Sequence, residues 1–346
     1  MCTCDSLIGF VETIKISDND KKFFSDVFYK DINYSLMDEI ESKIKNLPNE
    51  TSKLNKGKAW GIIGNYTREV YSYTLSQPHI DTPYHEHSLF YRGQSNIDYR
   101  NKLAPGIYRS TEKHDEHYYF HEMQVRCPSI FSSMKNINKL TYMQHYGCPT
   151  RLLDITSNPL VALYFACCDH QNDKDGIVFV FGTRTDEILY EESDRVQMLS
   201  KFCELKPNEQ EQLMICSYIN LLKGNFKKNS AIRYIDNEVE RFYHAIKRDN
   251  GAFEREIVPL DLLRPIFVQT NKDNPRILKQ DGAFILCGLD LNEADSNYKI
   301  KKQVIKEIVI PAYAKAKILK ELEQICINQA TLFPEVDKVA DYLKHR

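Results

Sequence analysis

The sequence predicts an α+β fold built on mixed, mostly antiparallel sheets with a helical insertion. Two observations carry that expectation. Short apolar stretches of strand character (residues 88–93, 177–181, 266–269, 283–287 and 307–310) are scattered among helical segments without strict βαβ alternation. A block from about 185 to 250 is helical and interrupts them.

Residues 1–87 stand apart as an extension of unassigned role. Within them 8–16 reads as a strand, and 34–47 as a helix on the spacing of Leu36, Ile40 and Ile44. The stretch 46–65, rich in Pro, Asn, Gly and Lys, reads as a loop. A second unit runs from 88 to 346. It opens with SLFYRG, a strand closed by Gly93, and continues with helices over 116–125 and 130–143. Asn158 followed by Pro159 suits an N-cap and first helical position, since proline has no amide to leave unpaired there. The helix they start, 159–168, is apolar on nearly every face and belongs in the interior. Ile232, Ile235, Val239, Phe242 and Ile246 form an amphipathic face closed by Gly251. Residues 314–325 and the LFPEVDKVADYL stretch (332–343) supply closing helices.

Composition narrows the class. The hydrophobic set is 42% and charged residues 27%, the balance of a folded globular chain. With 46 basic against 48 acidic residues the formal net charge is −2, so no global positive field draws nucleic acid. No apolar run approaches the roughly 20 residues of a membrane span, and the first residues lack a basic, apolar leader pattern. The ten cysteines are irregularly spaced, with no CxxC, which predicts free thiols in a reducing cytoplasm and no metal site.

Three strand edges carry unusual polar groups. In FYRGQS, Tyr91, Arg92, Gly93 and Gln94 put a guanidinium beside a glycine, a pairing suited to a phosphate or carboxylate and to close backbone approach. In QHYGCPTRLLDITS, Gln144, His145, Tyr146, Thr150, Arg151, Asp154, Thr156 and Ser157 precede the buried helix, where free amides favour an anion. The plainer alternative is that Asp154 and Ser157 cap that helix, Arg151 pairs with Asp154, and His145 is a hydrogen-bonded structural residue. In PRILKQDGAF, Arg276 and Gln280 precede Gly282; Gln280 has no useful acid–base chemistry but can orient a ligand or water.

With FYRGQS, LAPGIYRS (103–110), QHYGCPTRLLDITSNPLVALYFA, PRILKQDGAF and ATLFPEVDKVADYL in this order, the chain resembles the FRG domain family, whose aromatic-Arg-Gly motif falls on Tyr91-Arg92-Gly93. The resemblance spans about 88–343; Cys148 and Ile155 depart from its pattern. It implies a bacterial or phage-related protein, some relatives of which are tied to conflict systems, but it implies no reaction. A second resemblance, to ADP-ribosyltransferases, implies one. There an aromatic-Arg strand is followed by a Ser-Thr-Ser strand leading into a helix, and by a later strand bearing a glutamate. Tyr91-Arg92-Gly93 is similar to the first element and Asp154-Ile-Thr-Ser to the second. The third falls on Gln280, which is not acidic.

The resulting expectation is an enzyme of ADP-ribosyltransferase type that takes NAD or a related nucleotide. Arg92, His145, Asp154 and Gln280 are its catalytic candidates, and the other residues of the three edges bind ligand. The alternatives are a nucleotide- or nucleic-acid-sensing module without turnover, and a nuclease or other hydrolase using His145, Asp154 and Arg151. A protein acceptor fits the first reading. Oligomeric state is not encoded in any pattern of the sequence.

Overall fold

The computed structural model describes residues 2–8, 10, 87–109, 113–169, 173–222, 237–253, 257–290 and 293–345. The strands are β1 (Cys2–Thr3), β2 (His87–Gln94), β3 (Leu152–Thr156), β4 (Gly176–Arg184), β5 (Leu189–Tyr190), β6 (Ile266–Gln269), β7 (Gly282–Leu286) and β8 (Val304–Ile310). They form one sheet in the order β1-β8-β4-β2-β3-β7-β6-β5. Every inner neighbour pair is antiparallel; only the outermost pairs, β1 with β8 and β5 with β6, are parallel. The α+β expectation with a mostly antiparallel sheet therefore holds.

The first helices are α1 (Glu116–Arg126), α2 (Pro128–Phe131), α3 (Asn136–His145) and α4 (Pro159–Cys167). The insertion between β5 and β6 supplies α5 (Asp194–Ser200), α6 (Pro207–Leu222), α7 (Asn237–Asp249) and α8 (Pro259–Leu263). Then come α9 (Pro275–Lys279), α10 (Glu293–Lys301), α11 (Ala312–Gln324), α12 (Gln329–Leu332) and α13 (Val336–His345). None of the described helices is long and apolar enough to cross a membrane.

One sheet face carries two separate cores. Over β2, β4 and β8, the side chains of Tyr91, Val178, Val180, Ile308 and Ile310 pack against Ala162, Leu163 and Ala166 of α4 and Ile318 and Leu322 of α11. Over β3, β6 and β7, Leu152, Phe284, Leu286 and Val268 pack against the larger helical group, including Leu140 and Met143 of α3 and Phe242 and Ile246 of α7. The opposite face holds Phe90, Leu153, Ile155, Phe179, Phe181 and Ile285 with Leu103 and Ile300. Because Tyr91 lies opposite Thr156 in the ladder, and strand side chains alternate with period two, Leu152, Asp154 and Thr156 share the face of Tyr91. The two cores thus meet at the β2–β3 boundary.

Helix α4 forms as its sequence predicts. The Asn158 side chain accepts from the Leu160 amide at 3.0 Å, Pro159 takes the first helical position, and Val161, Ala162, Leu163, Ala166 and Cys167 are buried. Burial pushes the Cys167 thiol up to about 12, as suits a free, unreactive thiol.

Several expectations change. Ile8 and Phe10 are helical where a strand was expected, with Phe10 fully buried; the edge of the sheet is taken by β1 instead, and most of 8–16 lies outside the described residues. The readings of 34–47 and 46–65 also lie outside them. The helix expected over 130–143 is broken into α2 and α3, and Asn136 at the break turns inward to donate to the Glu204 carboxylate at 2.7 Å. The block 185–250 contains the short strand β5 as well as helices. Of the amphipathic face there, Phe242 and Ile246 are buried as expected, whereas Ile232 and Ile235 lie outside the described residues.

Candidate functional site at the seam of the sheet

Strand β2 pairs with β4 along its whole length, from His87↔Arg184 to Gln94↔Ile177. With β3 it shares a single pair, Tyr91↔Thr156. Continuing that register would set Gly93 opposite Asp154, but no pairing occurs there, so the sheet opens. A pocket of about 230 Å³ lies at this opening, between the two cores. Its floor is Tyr91, Asp154, Thr156 and Phe284; α4 contributes Val161 and Phe165, the end of α3 contributes Gln144 and His145, and the α9 turn contributes Arg276 and Gln280.

Arg92 reaches the pocket from the other side. Its position on β2 shares the face of Phe90, yet its Nη1 donates to the Asp154 carbonyl at 2.6 Å. That carbonyl is the group that an amide of β2 would have taken had the ladder continued. Nε of Arg92 is buried and has no partner among the described residues. Burial pulls the guanidinium below its ordinary value and Asp154 counters it, with Arg109 acting in the same direction as burial. An arginine remains charged throughout the accessible range even so.

Asp154 stands on the strand between buried Leu153 and Ile155, with its own side chain 63% exposed into the mouth. Its Oδ1 accepts from Gln144 Nε2 at 2.8 Å, and Gln144 Oε1 in turn accepts from the Thr150 hydroxyl. Oδ2 lies 3.9 Å from Arg92 Nη1. The carboxylate is thus oriented by a hydrogen-bonded chain and left open to a ligand. Gln144 and His145 are brought to the pocket by the stop of α3. Gly147 takes a positive φ of 82°, and the Cys148 amide returns to the Met143 carbonyl at 3.0 Å, closing the last turn.

Across the pocket, Arg276 stacks on the Phe333 ring at 4.6 Å, and no ion pair or hydrogen bond engages its guanidinium among the described residues. Gln280 donates through Nε2 to the Leu332 carbonyl at 3.0 Å, and its own carbonyl accepts from the Thr156 hydroxyl at 2.6 Å. His145 Nε2 is 3.4 Å from Glu335 Oε1. Burial, reinforced by Arg276, holds His145 below the ordinary imidazole value, with Glu335 opposing them. A neutral imidazole at neutral pH is a competent proton acceptor.

The structure therefore brings together Tyr91, Arg92, Gly93, Gln144, His145, Asp154, Thr156, Arg276 and Gln280. Five further candidates fall outside the pocket lining. Arg151 is 1% exposed and is held by Glu116, its Nε donating to Oε2 at 2.8 Å; it also donates to Gln210 Oε1 at 3.2 Å and lies over the Phe202 ring. Its partner is Glu116 and not Asp154, because its face points into the helical core. Thr150 is buried and acts through Gln144. Tyr146 is 64% exposed and packs edge-on against the His145 ring. Ser157 sits past the strand, its hydroxyl donating to the Asp281 carbonyl at 3.3 Å. Gln94 lies at the end of β2, beyond the lining. Asp154 lies inside β3, whereas Thr156 ends that strand at the junction with α4, its hydroxyl accepting from the Asn158 amide at 3.0 Å. Neither Asp154 nor Ser157 caps α4, since Asn158 does.

Gly93 has a different role from the one its motif suggests. A Cβ there would stand 1.9 Å from the Ala162 carbonyl oxygen, so the glycine admits the α4 backbone against β2. No polar-edge signal in the sequence singles out Phe284 in the lining, or Phe333 and Glu335 behind it. The last two lie in the ATLFPEVDKVADYL segment, which carried the family resemblance without offering a polar-edge signal.

A seam in a mixed sheet, floored by a strand-borne carboxylate and bridged by an aromatic-Arg-Gly strand, defines an α+β domain with a polar pocket at the seam. Residues 87–175 match the model of the FRG domain family, so the chain carries an FRG domain over that stretch. That stretch supplies β2, β3, α1 to α4 and the Arg92–Asp154–Gln144–His145 side of the pocket, whereas Arg276 and Gln280 come from beyond it. No curated protein and no solved structure matches the chain.

Proposed function

We propose that the seam pocket binds NAD or a closely related nucleotide as substrate and that the domain transfers or hydrolyses its ADP-ribosyl group. The observation that carries this reading is the convergence of two arginines, an open oriented carboxylate and a neutral histidine on one cavity walled by Tyr91, Phe165 and Phe284. Arg92 and Arg276 match the negative charge of a diphosphate with planar donor forks. The aromatic walls suit a nicotinamide ring, and a volume of about 230 Å³ suits a ring with its ribose, the diphosphate extending to the rim. Cleavage of the ring–ribose bond develops positive charge on the sugar, which the fixed Asp154 carboxylate stabilises without reorganising. His145 accepts the proton of the attacking hydroxyl. Gln280, tied to Leu332, shapes the wall and needs no charge for that task.

The test is incubation of the full chain with NAD, with and without protein or nucleic-acid acceptors, scoring released nicotinamide. Release that falls by roughly 100-fold or more in Arg92→Ala is the expected result. Absence of release under all these conditions would count against catalysis. Thermal stabilisation by NAD without turnover would then mark the same pocket as a sensor.

A further inference from the structure

The turn between α12 and α13 reaches the pocket from far along the chain. Phe333 is gripped between the Arg276 guanidinium at 4.6 Å and the Phe165 ring, edge-on at 5.9 Å. Gln280 holds the Leu332 carbonyl. Those contacts seat Glu335 against His145, with Oε1 3.4 Å from Nε2. The second oxygen, Oε2, is buried and has no hydrogen-bond partner among the described residues. A carboxylate oxygen removed from water without a partner is costly to keep ionised unless positive charge arises beside it. The imidazolium of His145 is the group positioned to supply that charge.

We propose that Glu335 is a positioning residue that orients His145 as the proton acceptor of the pocket; this rests on the reading of the pocket as an NAD-consuming site. With the hydrogen on Nε2, the nitrogen that faces Glu335, the ring's lone pair lies on Nδ1. An oxygen nucleophile, water or an acceptor hydroxyl, bonds to C1′ of the nicotinamide ribose. The C1′–N bond breaks with its electron pair leaving on nicotinamide, and Nδ1 takes the nucleophile's proton and later passes it to solvent. Glu335 stabilises the imidazolium, as a third group orients the base in a triad. The charged groups acting on the ring are Arg276 from α9, which disfavours the imidazolium, and Glu335, which favours it.

The experiment compares Glu335→Gln and Glu335→Asp in the full chain by two measurements: titration of the His145 imidazole by NMR, and the pH profile of nicotinamide release. Removing the Glu335 charge takes away the influence that raises His145, so both titration and the acid limb of kcat move to lower pH, by roughly one pH unit. The plateau kcat falls roughly tenfold or more with KM little changed, and Glu335→Asp recovers part of both. A His145 titration and acid limb that stay put in a folded Glu335→Gln chain overturn the proposal. A titration that moves in a chain releasing no nicotinamide upholds the pairing and overturns the NAD reading alone.

Discussion

Arg151→Ala should destabilise the fold by about 3–5 kcal/mol, the range for stripping one partner from a buried ion pair. Arg151 is 1% exposed and Glu116 3%, and Glu116 also accepts from the Arg151 amide at 3.0 Å. Burial pulls the Arg151 guanidinium down, but Glu116 overrides it and the net position is above the ordinary arginine value. Without the guanidinium, Glu116 is left charged in the core, and the carbonyls of Cys287 and Gly288 lose a donor. The pair ties α1 to the start of β3 and, through Gln210, to α6, so the loss spreads across the larger core. Urea unfolding of Arg151→Ala, Glu116→Ala and the double variant Arg151→Met/Glu116→Leu measures it. The apolar pair should recover most of the stability, because what is expensive is the unpaired charge. A single-variant loss below about 1 kcal/mol would contradict this assignment. On the proposed function, NAD binding per folded molecule should be unchanged, since Arg151 does not line the pocket.

Gly93→Ala should lower Tm by roughly 5–10 °C, consistent with overpacking of about 3 kcal/mol. The added methyl meets backbone on every side: 1.9 Å to the Ala162 oxygen, 2.7 Å to the Ala166 nitrogen and 2.9 Å to the Ala162 carbonyl carbon. No side-chain rotation relieves such contacts, so α4 must lift from β2. Val161 and Phe165 travel with α4, and the pocket wall with them, so on the proposed function ligand binding falls together with stability. A melt indistinguishable from the parent chain would show that α4 is not seated as described. The experiment also separates two meanings of the motif glycine. A ligand-approach glycine would lose binding with stability intact, whereas a packing glycine loses both.

Much of the frame is legible along the chain. Asn158-Pro159 announces the start of α4, and the unbroken apolar run after it announces burial on all sides, because those signals are local backbone and solvation effects. The strands β2, β4, β6, β7 and β8 are likewise readable, as β-branched and aromatic runs bounded by turns. The three polar strand edges point toward one place, and the pocket gathers residues from all three.

Local patterns along the chain establish an inventory: elements, a buried helix and a set of polar residues out of place in a core. It could not separate Arg92 from Arg151, since both are arginines beside turn residues and a strand. Only the tertiary structure decides that Glu116, 35 residues away, takes Arg151 into the core while Arg92 meets an opened ladder. Strand alternation assigns faces relative to one another but does not say what covers them. Sheet order and helix packing do. They leave the seam between two cores uncovered, set Asp154 on its floor, and carry Glu335 and Phe333 from late in the chain to positions behind the lining residues His145 and Arg276.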